Sequence, residues 1–191
     1  MSLRYRGALL FMSKQDNLIL IYTGNGKGKT SAALGLATRA LRDRMKVIII
    51  QFVKSESGSG EVGLKKILPK LEVRCFGRGL IIKRQETRDK RQEIATAMRG
   101  VRFAEQKIKS GKHQVVILDE ILVAYGLGLV KLSDIIKIVK LARKASGKMF
   151  LVLTGRGCPQ KLYALADLVT EMKEIKHPYK KGVQAIRGID Y

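Results

Sequence analysis

The stretch from Asn17 to Leu41 constrains the fold more than any other part of the chain. An apolar run, Asn17-Leu-Ile-Leu-Ile-Tyr22, leads into Thr23-Gly-Asn-Gly-Lys-Gly-Lys-Thr30, and Ser31-Ala-Ala-Leu-Gly-Leu-Ala-Thr-Arg-Ala40 follows. The run is short and rich in Ile and Leu, as a buried parallel strand requires. Beyond the loop, Ala33, Leu36, Ala37, Ala40 and Leu41 recur at helical spacing. The loop follows the phosphate-binding pattern G-x-x-x-x-G-K-[ST], with Gly28, Lys29 and Thr30 in the last three places. Its first place holds Thr23 instead of Gly, and Gly24 and Gly26 supply the backbone freedom. Such a loop turns its N–H groups inward around phosphate oxygens, where a Cβ would obstruct them. Lys29 adds a point charge, the Thr30 hydroxyl suits Mg²⁺, and the following helix aims its positive end at the same anion. A Gly/Lys-rich surface turn would need neither the buried strand before it nor the helix after it.

With 191 residues, 46% of them hydrophobic, the chain suits one domain with a full core, without an evident linker or internal repeat. Residues 1–16 are expected to be an N-terminal extension and 17–191 the folded domain. No apolar run is long enough to span a bilayer, and the segment after Arg4 and Arg6 is too short for a secretory signal. Cys75 and Cys158 stand far apart with no His at ligand spacing, which argues against a disulfide framework or a zinc site. Neither His113 nor His177 reads as a catalytic base. A reducing cytoplasm is the expected compartment. The formal net charge of +22 attracts polyanions in general, but aromatic residues are only 6% and no RNA-binding signature is present.

Further along, strands are expected over Lys46–Phe52, Leu71–Phe76, Gln114–Glu120, Lys148–Thr154 and Leu168–Lys173. Helices are expected over Glu61–Leu68, about Gln85–Ser110, Ile121 onward, and Ser133 to about Ala145, with Ser133 as cap and Gly147 as the stop. Pro159 is expected to open a last short helix reaching Ala166. The order of elements predicts an α/β fold: a single P-loop NTPase-like (RecA-like) domain whose mostly parallel central sheet carries helices on both faces. Gln114-Val-Val-Ile-Leu-Asp-Glu120 ends an apolar strand in two acids, which points Asp119 and Glu120 at Mg²⁺ opposite the phosphate loop. Gly155-Arg-Gly157 ends another strand and brings Arg156 to the same crevice, where it would either neutralise phosphate or pair with Asp167.

Physics alone stops at a nucleotide and a metal ion. Beyond it, the chain resembles the P-loop corrinoid adenosyltransferases. The resemblance rests on Tyr22–Thr30, Gln51-Phe-Val-Lys54, Val115–Glu120, Leu153-Thr-Gly-Arg-Gly157, and above all the end of the chain. There Ala166-Asp-Leu-Val-Thr-Glu-Met-Lys-Glu-Ile-Lys-His-Pro-Tyr179, Gly182 and Gly188-Ile-Asp-Tyr191 have no general P-loop meaning. It covers about Ile19 to Tyr191 and is weak between Ser55 and Gln106.

The resemblance implies transfer of the 5′-deoxyadenosyl group of ATP to a cob(I)alamin-type corrinoid, with release of triphosphate. Cobalt(I) is then the nucleophile, and no side-chain nucleophile or general base is needed. Gly24, Asn25, Gly26, Lys27, Gly28, Lys29, Thr30 and Ser31, with Lys54, would hold ATP. Thr30, Asp119 and Glu120 would hold Mg²⁺ or Mn²⁺, and Lys29, Glu120 and Arg156 would stabilise the reacting charge. An external reductase, such as a flavoprotein, and a homodimer are implied as partners; nucleic acid and membrane are not. One departure concerns the corrinoid side. Where many members have Gly-Phe-x-Trp, this chain has Gly79-Leu-Ile-Ile82, so Leu80 and Ile82 stand in for aromatic contacts. The rival reading is a RecA-like P-loop ATPase acting on nucleic acid, motivated by the net charge.

Overall fold

The computed structural model describes residues 17–64, 66–79, 89–178, 182–186 and 188. Its six strands are β1 (Leu18–Thr23), β2 (Val47–Gln51), β3 (Leu71–Cys75), β4 (Val115–Asp119), β5 (Phe150–Thr154) and β6 (Leu168–Glu171). They form one sheet in the order β3-β2-β4-β5-β1-β6, and every pairing is parallel. This strand order separates β1, which enters the phosphate loop, from β4, which ends in the acids, by the single strand β5. Parallel strands point their carboxyl ends the same way, so all three deliver their last residues to one crevice.

The helices are α1 (Lys29–Arg42), α2 (Glu61–Leu64), α3 (Lys90–Lys109), α4 (Ile121–Gly126), α5 (Leu132–Arg143) and α6 (Gln160–Tyr163). Alternation along each strand divides the apolar side chains between the two sheet faces. Ile48, Ile50, Val116 and Leu118 pack with Ala97, Val101 and Ala104 of α3 and Ile135, Ile138 and Val139 of α5. On the other face, Val47, Ile49, Val115 and Ile117 meet Ala33, Ala37 and Ala40 of α1. The small alanines let α1 lie close to the sheet, which fixes the phosphate loop at its start. Among the described residues no helix is long and apolar enough to cross a membrane.

The strands match the expected apolar runs to within two residues at each end. Several helix ends differ. The helix expected from Ser133 starts at Leu132, because the Lys131 N–H donates to Asp134 Oδ2 at 3.1 Å and fixes the first turn two residues earlier. It ends at Arg143, and Gly147, with φ +83°, turns the chain into β5 instead of stopping the helix. Pro159 lies just outside α6, which covers one turn only. The helix after Glu61 likewise ends at Leu64.

A half-buried titratable cluster joins α3 to β3 and to the chain entering β4. His113, 9% exposed, has its Nε2 3.3 Å from Glu72 Oε2, and Lys107 Nζ lies 2.8 Å from the same oxygen. Among the described residues His113 Nδ1 is buried without a hydrogen-bond partner. Burial and the Lys107 charge push the imidazole below its ordinary value of 6.5, outweighing Glu72, and Lys46 adds to the effect. The folded state therefore prefers neutral His113. Its contribution is intact above the unfolded value and is lost as pH falls through the lower folded one. Burial raises the Glu72 pKa, but Lys107 and Arg74 outweigh this and hold it below the usual carboxylate range, so its contribution is lost at still lower pH. Thermal melting should decline once pH drops below about 6.5, and His113→Gln should flatten the first part of that decline. A melting temperature independent of pH between 7 and 5 would contradict this.

Candidate nucleotide site

The phosphate loop is shaped by contacts a larger residue would break. Gly24 has φ +99° and Gly28 has φ +108°, both left-handed values that favour glycine. Thr23 is the last residue of β1: its carbonyl accepts from Met172 N at 2.8 Å and its hydroxyl from Cys158 N at 3.4 Å. The place where the pattern prefers Gly is thus still strand here, and the turn begins at Gly24. The loop then lies against the chain leaving β6, with Gly26 N donating to Met172 O at 2.7 Å. A Cβ on Gly24 would collide with the Met172 backbone, and one on Gly26 would come within 2.7 Å of Lys173 O. Gly26→Ala should therefore displace the loop and weaken nucleotide binding at least tenfold while leaving the sheet intact. Calorimetric titration with ATP checks this, and an unchanged affinity would contradict it.

Gly28 precedes α1, and no acidic residue occupies the first turn of that helix, so its free N–H groups and positive dipole end face the cleft unopposed. Lys29, only 7% exposed, folds over the loop and donates to Gly24 O at 2.8 Å and Gly26 O at 2.6 Å. Burial, then the charge of Arg156, lowers its pKa, with Glu120 and Asp119 pulling the other way. The ammonium is held by neutral carbonyls, which an incoming phosphate can replace.

Opposite stand the acids of β4. Asp119 is fully buried. Thr30 Oγ1 and Thr154 Oγ1 donate to its Oδ1 at 2.8 and 2.7 Å, and Gln51 Nε2 donates to Oδ2 at 3.0 Å. Three elements, α1, β5 and β2, thus converge on one carboxylate of β4. Thr154, at the end of the intervening strand β5, also accepts from Glu120 N at 2.9 Å. Glu120 itself has φ +61°, a left-handed conformation costing a non-glycine residue on the order of 1 kcal/mol. That turn swings its side chain out of the sheet to line the cleft. Burial, then the neighbouring Asp119 charge, raises its pKa against the pull of Lys54, Lys29 and Arg156.

A second layer lies behind Asp119. Lys54 Nζ is 3.2 Å from Glu61 Oε1 and 3.8 Å from Asp119 Oδ2. Gln51 Nε2 also reaches Glu61 Oε2 at 3.2 Å, and Ser59 Oγ donates to that oxygen at 2.7 Å. Burial disfavours the Lys54 charge, but Asp119 and Glu61 outweigh it and raise its pKa. Glu61 is correspondingly lowered by Lys54 and Ser59 despite burial.

Lys27, Lys29, Thr30, Ser31, Lys54, Glu120 and Arg156 line one cleft of about 510 Å³, together with Glu61 and Leu64. Gly24 and Asn25 belong to the loop above it; Asn25 is exposed and does not line the cavity. Arg156 follows Gly155, whose Cβ would strike Leu122 at 2.8 Å, so the turn aiming Arg156 requires glycine. Asp167 pairs with Arg143 at 2.8 Å, so Arg156 is not spent on it. Leu80 and Ile82 fall outside the described residues. Gly79, just before them, lines a cavity of about 20 Å³ with Phe52, Phe76 and Leu127 and with the polar Arg78, Glu93 and Thr96, far too small for a macrocycle. Thr154, Glu61 and Ser59 were not legible as site residues in the sequence; the only signal was the position of Thr154 immediately before Gly155-Arg-Gly157.

A family model of ATP:corrinoid adenosyltransferases (BtuR/CobO/CobP) matches residues 15–191. The chain belongs to this family. Among its relatives, the corrinoid adenosyltransferase of Pseudomonas aeruginosa is 34% identical over 178 residues, covering 93% of this chain and 85% of that protein. Those of a Sinorhizobium species and of Escherichia coli K12 are each 31% identical, again over 93% of this chain and over 81% and 87% of theirs. A solved structure, the flagellar accessory protein FlaH of Methanocaldococcus jannaschii, shares the fold with a TM-score of 0.51 at 13% identity, covering 81% of this chain and 70% of that one. Membership in the ATP:corrinoid adenosyltransferases accounts for a cleft that gathers cations and acids while no histidine lines it among the described residues.

Proposed function

We propose that this adenosyltransferase moves the 5′-deoxyadenosyl group of ATP onto cobalt(I) of a corrinoid and releases inorganic triphosphate. In that step the cobalt(I) electron pair forms the bond to C5′, the C5′–O bond breaks, and its electrons leave with the triphosphate. The observation that carries the reading is the cleft itself: a phosphate loop, Lys29 and Arg156 gather where the leaving group must develop charge. The loop from Gly24 to Ser31 holds the phosphates through backbone N–H groups, with Asn25 shaping the turn and Lys27, Lys29 and Lys54 supplying charge. Lys29 exchanges the Gly24 and Gly26 carbonyls for phosphate oxygens, and Arg156 closes the opposite side. Because the attacking electron pair is the substrate's own, positioning and charge stabilisation are what the side chains contribute.

Thr30, Asp119 and Glu120 offer a hard-oxygen set suited to Mg²⁺ or Mn²⁺. Among the described residues there is no cluster of three or more His, Cys, Asp or Glu that would cage a metal. Thr30 and Glu120 line the cleft, whereas Asp119 is fully buried with its oxygens taken by Thr30, Thr154 and Gln51, so it would act on the ion from behind the Thr30 hydroxyl while waters and phosphate oxygens complete the ligand set. Bound there, the ion would neutralise triphosphate charge. Thr30 is held in place by Asp119, and Glu120 is turned toward the cleft by its left-handed backbone.

An external reductase, such as a flavoprotein, supplies the electrons for cobalt(I); Cys75 and Cys158 are free thiols in a chain suited to reducing cytoplasm. The working form is a homodimer, and Leu80 and Ile82 contact the corrinoid through apolar bulk. The test is anaerobic incubation of chemically reduced corrinoid with ATP, Mg²⁺ and protein. A corrin spectrum that changes with protein concentration and gives way to that of cobalt(II) on anaerobic illumination supports cobalt–carbon bond formation. An unchanged spectrum with fully reduced cobalt would contradict it.

A further inference from the structure

The cleft that receives the phosphates also contains a carboxylate that the adenosyl transfer leaves without a task. Glu61 opens α2, is 8% exposed, and lines the cleft with Lys27, Lys29, Lys54 and Arg156. Glu120, the other acid lining it among the described residues, is placed to hold a metal ion. A further anion in this position works against the binding of a polyanion. A nearly buried carboxylate also needs a cation to answer it, and Lys54 is that cation. Its Nζ lies 3.2 Å from Glu61 Oε1 and 3.5 Å from Oε2.

The fold keeps this pair in place. Lys54 follows closely on the end of β2, whose last residue, Gln51, lies in register with Asp119. The chain then turns through Glu56–Gly58 and returns Glu61 to the same strand end. Ser59 Oγ and Gln51 Nε2 both donate to Glu61 Oε2, at 2.7 and 3.2 Å, so the carboxylate is anchored independently of the ammonium it holds. Asp119 Oδ2, 3.8 Å from Nζ, adds a second attraction. Lys29 is held differently. Its partners are the neutral carbonyls of Gly24 and Gly26, which an incoming phosphate replaces without breaking an ion pair. Lys29 is thus readily released to phosphate, and Lys54 is tethered by charge.

The chemistry supplies a reason for the tether. Breaking the C5′–O bond turns an ester oxygen into an oxyanion, so triphosphate carries more negative charge than the same phosphates did in ATP. A cleft that stabilises this developing charge also retains the product. We propose that Glu61 limits that retention: by holding Lys54 it keeps one ammonium off the triphosphate and so sets how readily the product leaves. Glu61 touches no reacting atom and acts through Lys54, which makes it a positioning residue. The inference rests on the adenosyl-transfer reading, since attack at C5′ is what produces triphosphate.

Calorimetric titration of the full chain with inorganic triphosphate, without added metal ion, tests it. Glu61→Gln keeps the size of the side chain but releases the ammonium, and should bind triphosphate on the order of tenfold tighter than the unaltered protein. Ser59→Ala, which lets the carboxylate follow the ammonium, should shift affinity the same way by about threefold. Lys54→Met added to Glu61→Gln should erase the gain. A damaged cleft would bind triphosphate more weakly, so a gain in affinity is not what a merely structural role produces. In turnover with reduced corrinoid and Mg²⁺, added triphosphate should inhibit Glu61→Gln at a correspondingly lower concentration. Unchanged or weaker triphosphate binding in Glu61→Gln overturns the inference, and weaker binding would make Glu61 the residue that presents Lys54 to phosphate. A gain that persists without Lys54 also overturns it, because the lost charge would then act directly. Either result leaves adenosyl transfer standing, whereas a reaction that forms no triphosphate overturns the transfer reading itself.

Discussion

Lys29→Ala should lower adenosyl transfer by about a hundredfold or more, the scale seen when one preorganised charge or donor is removed from a developing anion. The expectation follows from where the ammonium sits. It is nearly buried, held only by the carbonyls of Gly24 and Gly26, and its pKa is lowered by burial and by Arg156. In the fold that lysine makes only two carbonyl contacts, whereas in the proposed reaction it is the charge that meets the triphosphate. The loss should fall on turnover more than on folding, since no carboxylate is left unpaired by its removal. Steady-state kinetics beside a thermal melt measures both. Turnover within threefold of the unaltered protein would remove Lys29 from the reaction.

Glu120→Gln should raise the Mg²⁺ concentration needed for half-maximal activity at least tenfold and lower the rate at saturation. The substitution keeps size and hydrogen-bonding capacity but removes the charge that a divalent cation requires. Because burial and then the Asp119 charge disfavour the Glu120 anion, the neutral variant should be at least as thermally stable as the unaltered chain, although its left-handed backbone stays as it is. A stability gain together with an activity loss is what a buried charge kept for function produces. A direct readout is the Mg²⁺ dependence of ATP binding by calorimetry. Equal Mg²⁺ dependence in both proteins would mean that Glu120 is no ligand.

The elements that position this cleft were legible because each strand is a short apolar run ending in a residue with chemistry. Leu18–Thr23 ends at the phosphate loop, Val115–Asp119 at the acids, and Phe150–Thr154 at Gly155-Arg156. What periodicity does not encode is which strand lies beside which. Without knowing that β5 separates β1 from β4, Thr154 is only a threonine at a strand end. With that order it becomes the bridge between Asp119 and the Glu120 backbone. Glu61 was hidden for a related reason. It reaches Lys54 and Gln51 only because a short 3₁₀ turn at Glu56–Gly58 and the bend after it fold the chain back. Ser133 looked like a helix cap by residue type, yet Asp134 captured the Lys131 N–H and set the start two residues earlier. Local preference was overridden there by a neighbour one residue away.

The account turns on which bond of ATP is broken. Attack on the γ-phosphorus, as in a kinase or ATPase, leaves ADP. Attack by cobalt(I) on C5′ leaves the three phosphates joined. Phosphorus NMR of a reaction containing reduced corrinoid, ATP, Mg²⁺ and protein distinguishes them in one spectrum. The account predicts inorganic triphosphate in amounts equal to the adenosylated corrinoid formed, and no ADP. ADP without adenosylated corrinoid would contradict it.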